Sequence, residues 1–414
     1  MSQAEELEES IWRNRAFRSY IVASSATVFA FSMQQLLISW LLIGVLDTPA
    51  DRVGLSQALV GIPGLFIMLW GGAAADRVDP RGLLIRVYAV TPLVPLLLIG
   101  IDGSGYLNFW TVTFWALLMS VANSFSNPAQ AAILNRSSGR RVQEGVTAST
   151  AVMLVVQVIG LSLAGQLERV GLATVMIAQA AAIAVGCLAV RRISAVPSPA
   201  GGPRVAAWRS VIDGLQAIHR NRVVADVLGL NFVSMMFNVG SFMLVLPFMI
   251  TKLYDGDAAY LGGILVLFFS GGAISNFVLL RFMPITHPGR FFLTMQLTRA
   301  LIYVILWFQP PEWLLIGAIF LWGMNMGVTN TASRAIVQEA ADESYRARML
   351  SVYNVGVIGA QPVGALFLGQ LITWVGIVNA LLPGLVVSVL LFAYGILFTP
   401  VWSFRSRQAR LPGA

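Results

Sequence analysis

Twelve apolar stretches, each close to the length of one membrane crossing, follow one another with only short polar intervals between them. A helix needs about 20 mostly apolar residues to cross the hydrocarbon core, where every backbone N–H and C=O must be satisfied within the segment itself. The stretches lie near residues 17–46, 53–75, 82–101, 106–133, 145–167, 171–190, 223–250, 259–282, 289–308, 312–337, 347–374 and 377–400. They predict an all-α polytopic membrane protein with 12 transmembrane helices. Composition agrees, because 57% of the 414 residues are hydrophobic and 11% charged, against about 25% charged in a soluble domain. The polar surface that soluble domains require is missing.

The formal net charge of +8 implies no nucleic-acid partner, since the basic residues form no run interleaved with aromatics. They sit instead at the ends of apolar stretches, and mostly on alternate intervals. One set carries Arg77, Arg81, Arg136, Arg140, Arg141, Arg191, Arg192, Arg204, Arg209, Arg220, Arg222, Arg290, Arg346 and Arg348, joined by Arg13, Arg15, Arg405, Arg407 and Arg410. The other set holds little beyond Arg52, Arg169 and Lys252. Arginine bias of this kind marks cytoplasmic loops, so a multi-pass protein of the cell (cytoplasmic) membrane with both termini cytoplasmic is expected. The single cysteine, Cys187, lies in an apolar run, so no disulfide framework is expected. The first apolar stretch is too long for the core of a signal peptide and is expected to remain in the protein.

The longest polar interval divides the chain into an N-terminal six-helix bundle at 1–190, a cytoplasmic linker at 191–222 and a C-terminal six-helix bundle at 223–414. Its Pro/Gly/Ser-rich part, 196–203, reads as flexible linker. Further on, Trp208, Val211, Ile212, Leu215 and Ile218 share one helical face, which predicts an amphipathic helix on the cytoplasmic surface. The segment 127–134 at the end of the fourth stretch matches 330–337 at the end of the tenth. Six spans per half is an even number, so the repeat is parallel, as in two-halved transporters.

Between the second and third stretches the chain turns through 71–81, a run of small residues followed by a dense acid/base cluster. Gly72 lets another helix approach closely, and Asp76 can point at the electropositive start of a neighbouring helix. Arg77 and Arg81 can stay among lipid head groups or pair with acids. An ordinary positive-inside loop explains the arginines but not Gly72 and Asp76 four residues apart. Gly72, Asp76, Arg77 and Arg81 are therefore the candidate conformational switch.

This joint resembles the loop 2–3 signature of the major facilitator superfamily, with Gly72, Asp76, Arg77 and Arg81 matching. Asp79 and Pro80 replace a glycine and a basic residue of that pattern, giving a more rigid turn. The segments 126–130 and 346–353 resemble the branch that contains the enterobactin exporter and related bacterial efflux proteins. Two departures stand out. The loop 8–9 counterpart, 276–290, lacks the glycine–aspartate–arginine pattern, and 160–165 lacks the proline that follows the glycine in proton-driven antiporters. The resemblance implies two pseudo-symmetric six-helix bundles and a cavity walled by the first, fourth, seventh and tenth helices. It also implies that the glycine-rich second, fifth, eighth and eleventh helices, among them Gly61, Gly160, Gly271, Gly272, Gly359 and Gly364, form the contact between halves.

Polar side chains mark candidate cavity walls. On the seventh stretch Asn231, Ser234, Asn238 and Ser241 follow i, i+3, i+7, i+10, one stripe of one helical face. The first stretch offers Ser25, Ser32, Gln35 and Ser39, the fourth Asn123 and Asn127, and the tenth Asn325 and Thr329. The candidate substrate cavity is thus Gln35, Ser39, Asn123, Asn127, Asn231, Ser234, Asn238, Asn325 and Thr329. Interhelical hydrogen bonding is the competing reading of the same residues. No Asp or Glu falls at mid-span, where a proton-coupled carrier usually keeps a carboxylate, so protons are only a candidate coupling ion. Arg299 is the basic residue near mid-span and is expected to be structural. Phe232, Met235, Met236, Phe237, Phe242, Met324 and Met326 accompany the amides, a lining suited to apolar or amphipathic solutes of varied shape.

A secondary active transporter working by alternating access is expected, exporting amphipathic small molecules of drug or siderophore type. An importer or uniporter of a neutral metabolite competes with it. In the expected cycle Asp76 docks near 344–348 and holds the outward-facing state. An enzyme is not expected: His219 and His287 both lie in polar intervals, and no nucleotide-binding loop occurs. The expected partners are a small-molecule substrate and the bilayer, with no cofactor, no metal and a monomeric state.

Overall fold

In the computed structural model every predicted stretch is a helical rod, and no strand occurs among the described residues, which are 10–75, 79–139, 141–194, 207–283, 285–343 and 345–406. The rods are α1 (Arg15–Val45), α2 (Ala50–Ala75), α3 (Pro80–Gly103), α4 (Phe109–Ser138), α5 (Val142–Gly165) and α6 (Leu172–Arg191). The second set is α7 (Arg222–Leu253), α8 (Ala258–Arg281), α9 (Pro288–Trp307), α10 (Glu312–Ala340), α11 (Arg346–Val375) and α12 (Leu381–Phe398). Among the described residues ten are long and apolar enough to cross a membrane; α2 and α4, with 26 and 30 residues, are not among those ten. A separate linker helix spans Ala207–His219.

Local chemistry sets the rod ends. Asp79 caps α3 by accepting from the Arg81 and Gly82 backbone N–H groups at 3.2 and 2.9 Å, with Pro80 at the first helical position, where its missing N–H is not needed. The two residues that depart from the family pattern at this turn are therefore a helix start. Asn108 closes a capping box on α4, and Asn221 and Asp257 cap α7 and α8. Inside the rods α3 is interrupted at Thr91 and Pro92. Both α1 and α7 contain a π-turn, at Leu41–Val45 and Ser241–Val245, so the two copies of the repeat share this irregularity.

The chain forms two compact units, Met1–Ile38 with Trp70–Arg204, and Ser39–Leu69 with Val205–Ala414. In the first, α3 packs on α4 and α6 over buried Tyr88, Trp115, Met119 and Met176. Its α1 and α5 approach closely, since a β-carbon at Gly160 would stand 2.7 Å from the Phe29 carbonyl oxygen.

In the second unit α8 and α9 pack on α10, and α7 on α11. A β-carbon at Gly240 would lie 2.8 Å from the Gly364 carbonyl oxygen, so these two backbones cross in near contact. The segment 39–69 belongs here too, and a β-carbon at Gly54 would lie 3.1 Å from the α-carbon of Gly369 in α11. Phe242 stacks on Phe268 with centroids 4.1 Å apart, and Trp322 meets both edge-on. Lys252 pairs with Asp47, tying the end of α7 to the end of α1. The linker helix lies on the start of α11, where Gly214 permits close approach to the Arg348 backbone and Asp213 pairs with Arg348 at 3.5 Å. Its Ile212 and Leu215 remain exposed.

The glycines divide: Gly160, Gly271, Gly272 and Gly364 serve the close crossings of α1 with α5, α8 with α10 and α7 with α11, whereas Gly61 and Gly359 lie where α2 meets α11, a β-carbon at Gly61 standing 3.3 Å from Pro362.

Candidate functional site

Arg299 is the centre of the most developed polar site in the second unit. Its side chain is fully buried in the middle of α9, with Gln296, also fully buried, one turn before it. Helical spacing sends both toward α7 and α10. Nε and Nη2 donate to Asn325 Oδ1 at 3.3 and 3.1 Å, and Nη2 donates to Thr329 Oγ1 at 3.2 Å. Nη1 donates to Gln296 Oε1 at 3.3 Å and to Ser234 Oγ. Asn325 is itself fixed, because its Nδ2 donates to Thr298 Oγ1 at 2.6 Å and to the Met295 carbonyl at 2.7 Å. Ser234 donates in turn to Gln296 Oε1 at 3.0 Å.

Every acceptor in this shell is neutral. A cation at the centre of a span costs about 2.5–3.5 kcal/mol on insertion scales, and it is retained here because the guanidinium nitrogens are all engaged. The site is a buried positive charge held by amides and hydroxyls. Around it two amide groups keep an unmet donor: Gln296 Nε2 and Asn238 Nδ2 are buried without a partner. Asn238 Oδ1 accepts from Trp322 Nε1 at 2.6 Å.

The predicted cavity residues separate into two groups. Asn231, Ser234, Asn238, Asn325 and Thr329 are all at most 3% exposed inside the second unit, and three of them grip Arg299. The stripe on α7 is one face: Ser234 and Asn238 meet α9 and α10, and Asn231 lies against Tyr353 of α11. Ser39 is also buried in the second unit. Gln35 and Asn123 are half-buried and Asn127 exposed, all three in the first unit. Of the switch residues, Gly72 lies in α2, Asp76 and Arg77 fall outside the described residues, and Arg81 donates through Nη2 to the Arg191 carbonyl at 2.9 Å.

Sequence reasoning missed several polar anchors. In the first unit Thr27 and Gln130 hydrogen-bond Tyr88 Oη at 2.8 and 2.6 Å. Gln34 and Gln179 donate to the Ala116 and Ala30 carbonyls at 2.9 and 2.8 Å. Lone polar residues in apolar runs form no stripe and leave no periodic signal. Gln296 carried one usable hint, its position three residues before Arg299 on the same helical face. Among the described residues no group of His, Cys, Asp and Glu is placed to hold a metal ion.

Residues 20–356 and 228–411 match the family model described as the Major Facilitator Superfamily. The chain belongs to the Major Facilitator Superfamily. It is therefore a membrane transporter. Solved structures of the superfamily share the fold. A point mutant of the nucleoside transporter NupG aligns with a TM-score of 0.74 at 13% identity over 91% of this chain and 99% of that one. A bacterial homolog of the human lysosomal transporter Spinster aligns at 0.72 and 12% identity, covering 96% and 99%. The POT family transporter PepTSo aligns at 0.70 and 11% identity, covering 93% and 97%. At such identities the likeness is one of fold alone. No curated protein matches the sequence.

Proposed function

We propose that this superfamily member is a secondary exporter of amphipathic small molecules that are neutral or anionic, of drug or siderophore type. The observation that carries the reading is Arg299, a buried cation with only neutral acceptors around it. Every described acid lies at a rod end or outside the rods, so none offsets this charge at mid-span. At roughly 10 Å and an effective dielectric near 20, two unit charges interact by about 1.7 kcal/mol. A passing monovalent cation is then disfavoured more than tenfold relative to a neutral solute, and an anion is favoured. Phe232, Met236 and Met326, half-buried in the second unit, supply the apolar component.

Gln35, Asn123 and Asn127, which keep accessible surface, are proposed to touch the solute. Ser234, Asn325 and Thr329 act by holding Arg299, while Ser39, Asn231 and Asn238 complete the polar interior. Gly72, Asp76, Arg77 and Arg81 are proposed as the conformational switch. The arginine-rich end, with both termini, is assigned to the cytoplasm, and the protein to the cell membrane as a monomer of the efflux branch. Import or uniport of a neutral metabolite is the second reading, favoured by the missing proline after Gly160 and by the absence of a mid-span carboxylate for proton coupling.

Accumulation assays test the proposal. Cells with and without the gene are loaded with anionic, neutral and cationic amphipathic dyes, with and without an uncoupler. Lower retention of the anionic and neutral dyes, abolished by the uncoupler, is the expected result. Preferential loss of the cationic dyes would refute the charge argument, and higher accumulation of a neutral solute would favour the second reading.

A further inference from the structure

Within the second unit α2 and α11 run along each other in a seam that starts at the arginine-poor end of the rods. A β-carbon at Gly369 would stand 2.7 Å from the Ala50 carbonyl oxygen, and one at Gly54 would stand 3.1 Å from the Gly369 α-carbon. Further in, one at Gly61 would meet Pro362 at 3.3 Å, and one at Gly359 would meet the Leu65 side chain at 3.5 Å. Positions 50, 54, 61 and 65 share one face of α2, and 369, 362 and 359 follow in reverse order on α11. From 50 to 65, at 1.5 Å per residue, the seam runs about 22 Å. The hydrocarbon core is about 30 Å thick, so this contact between the halves of the repeat covers more than half of it.

At the mouth of the seam stands the ion pair of Asp47 and Lys252, one partner from each half. Asp47 follows the π-turn of α1, and Lys252 lies at the end of α7, the rod with the matching π-turn. Their side chains are 81% and 37% exposed, so the pair forms without burying either charge. Asp47 is well placed by its backbone. Its φ of 46° lies in the left-handed region, which aspartate tolerates better than most residues. The next residue, Thr48, is buried and donates its N–H to the Leu42 carbonyl at 2.8 Å. Lys252 is the only lysine in a chain whose other strong bases are all arginine. Its ammonium is a compact, strongly hydrated charge and cannot grip a carboxylate through two parallel hydrogen bonds, as arginine does. Such a pair is suited to being made and broken.

We infer that Asp47 and Lys252 are the latch of a gate on the arginine-poor side, and that the seam of α2 and α11 is the gate. The gate is closed in this structure. An exposed ion pair biases an equilibrium by up to about fivefold, enough to favour closure without locking it. The partners separate when solute passes on that side. This inference rests on the alternating-access reading, but on neither the solute nor the direction of transport.

Labelling of a single cysteine tests it without a substrate. Leu65→Cys in a Cys187→Ser background places a thiol at the inner end of the seam. A membrane-impermeant maleimide is applied to intact cells and to inverted vesicles. From the arginine-poor side, Asp47→Asn and Lys252→Gln are each expected to label about two- to fivefold faster than the parent. Asp47→Lys is expected to label faster still, because it sets two cations face to face. The exchanged pair, Asp47→Lys with Lys252→Asp, should return to the parent rate. Both positions are exposed, so the variants are expected to fold, and parent-like yields in size-exclusion chromatography verify it. Parent rates in every single variant, with Leu65→Cys still labelled, would overturn the latch alone. An exchanged pair that stays fast would overturn the pairing. No labelling from either side in any variant would remove the alternating-access reading and the latch with it.

Discussion

Arg299 is held by four side chains of unequal importance, which makes the contribution of each acceptor measurable. Asn325 accepts from two guanidinium nitrogens and is itself fixed by two donated bonds, whereas Thr329 accepts from one. Asn325→Leu removes the acceptor of two guanidinium hydrogen bonds, and each hydrogen bond to a charged group is worth about 1.5–3 kcal/mol. Thr329→Val removes one acceptor and should cost about 1–3 kcal/mol. Asn325→Leu is therefore expected to lower the apparent melting temperature far more than Thr329→Val, and scanning fluorimetry of the two variants measures it. Equal effects would mean that Asn325 is not the principal acceptor. At this scale the sequence was half legible. The i, i+3, i+7 spacing correctly put Ser234 and Asn238 on one face with Asn231, but not which neighbour that face meets. That depends on how α9 rotates toward α7 and α10, and a single arginine in an apolar run gives no period from which to read it.

Rods are where sequence and structure agree best, because twenty apolar residues in hydrocarbon leave the backbone little alternative to a helix. What escaped the sequence lies within the rods: the π-turns at Leu41–Val45 and Ser241–Val245, and the break of α3 at Pro92. Hydropathy averages over such features. Glycine content was legible, but its use was not, since abundance says nothing about which helix approaches. The crossing of α7 and α11 illustrates the difference. A side chain at Gly240 would push into the Gly364 backbone, whereas Gly263 of α8 has open space around its would-be β-carbon. Overpacking a tight contact costs typically about 1–3 kcal/mol. Gly240→Leu is expected to reduce the folded yield and melting temperature, while Gly263→Ala leaves both unchanged. Comparable behaviour of the two variants in fluorescence-detected size-exclusion chromatography would show that the crossing is not tight.

For the molecule as a whole, the sequence carries two signals, the parallel repeat and the arginine bias, and both bear on how the chain is expected to lie in the bilayer. The proposed switch makes one kinetic demand. If Asp76 biases the transport cycle through a helix dipole worth about 0.3–1 kcal/mol, Asp76→Asn should slow transport by roughly two- to fivefold without lowering the amount of folded protein. Initial rates in proteoliposomes, set beside protein yield, decide this, and an unchanged rate would remove Asp76 from the switch. Orientation can be tested without knowing the substrate. Cys187 is the chain's single cysteine and is buried, so Cys187→Ser gives a silent background for labelling. Single cysteines are then placed at Ser104 and Asp255, on the arginine-poor intervals, and at Thr286 and Glu343, on the arginine-rich ones. In intact cells a membrane-impermeant maleimide should label the first pair and spare the second, and inverted vesicles should reverse the pattern. Because crossings alternate sides, a single site of the wrong class would displace every later loop. Labelling of Thr286 from outside would thus overturn both the cytoplasmic assignment of the termini and the direction of export built on it.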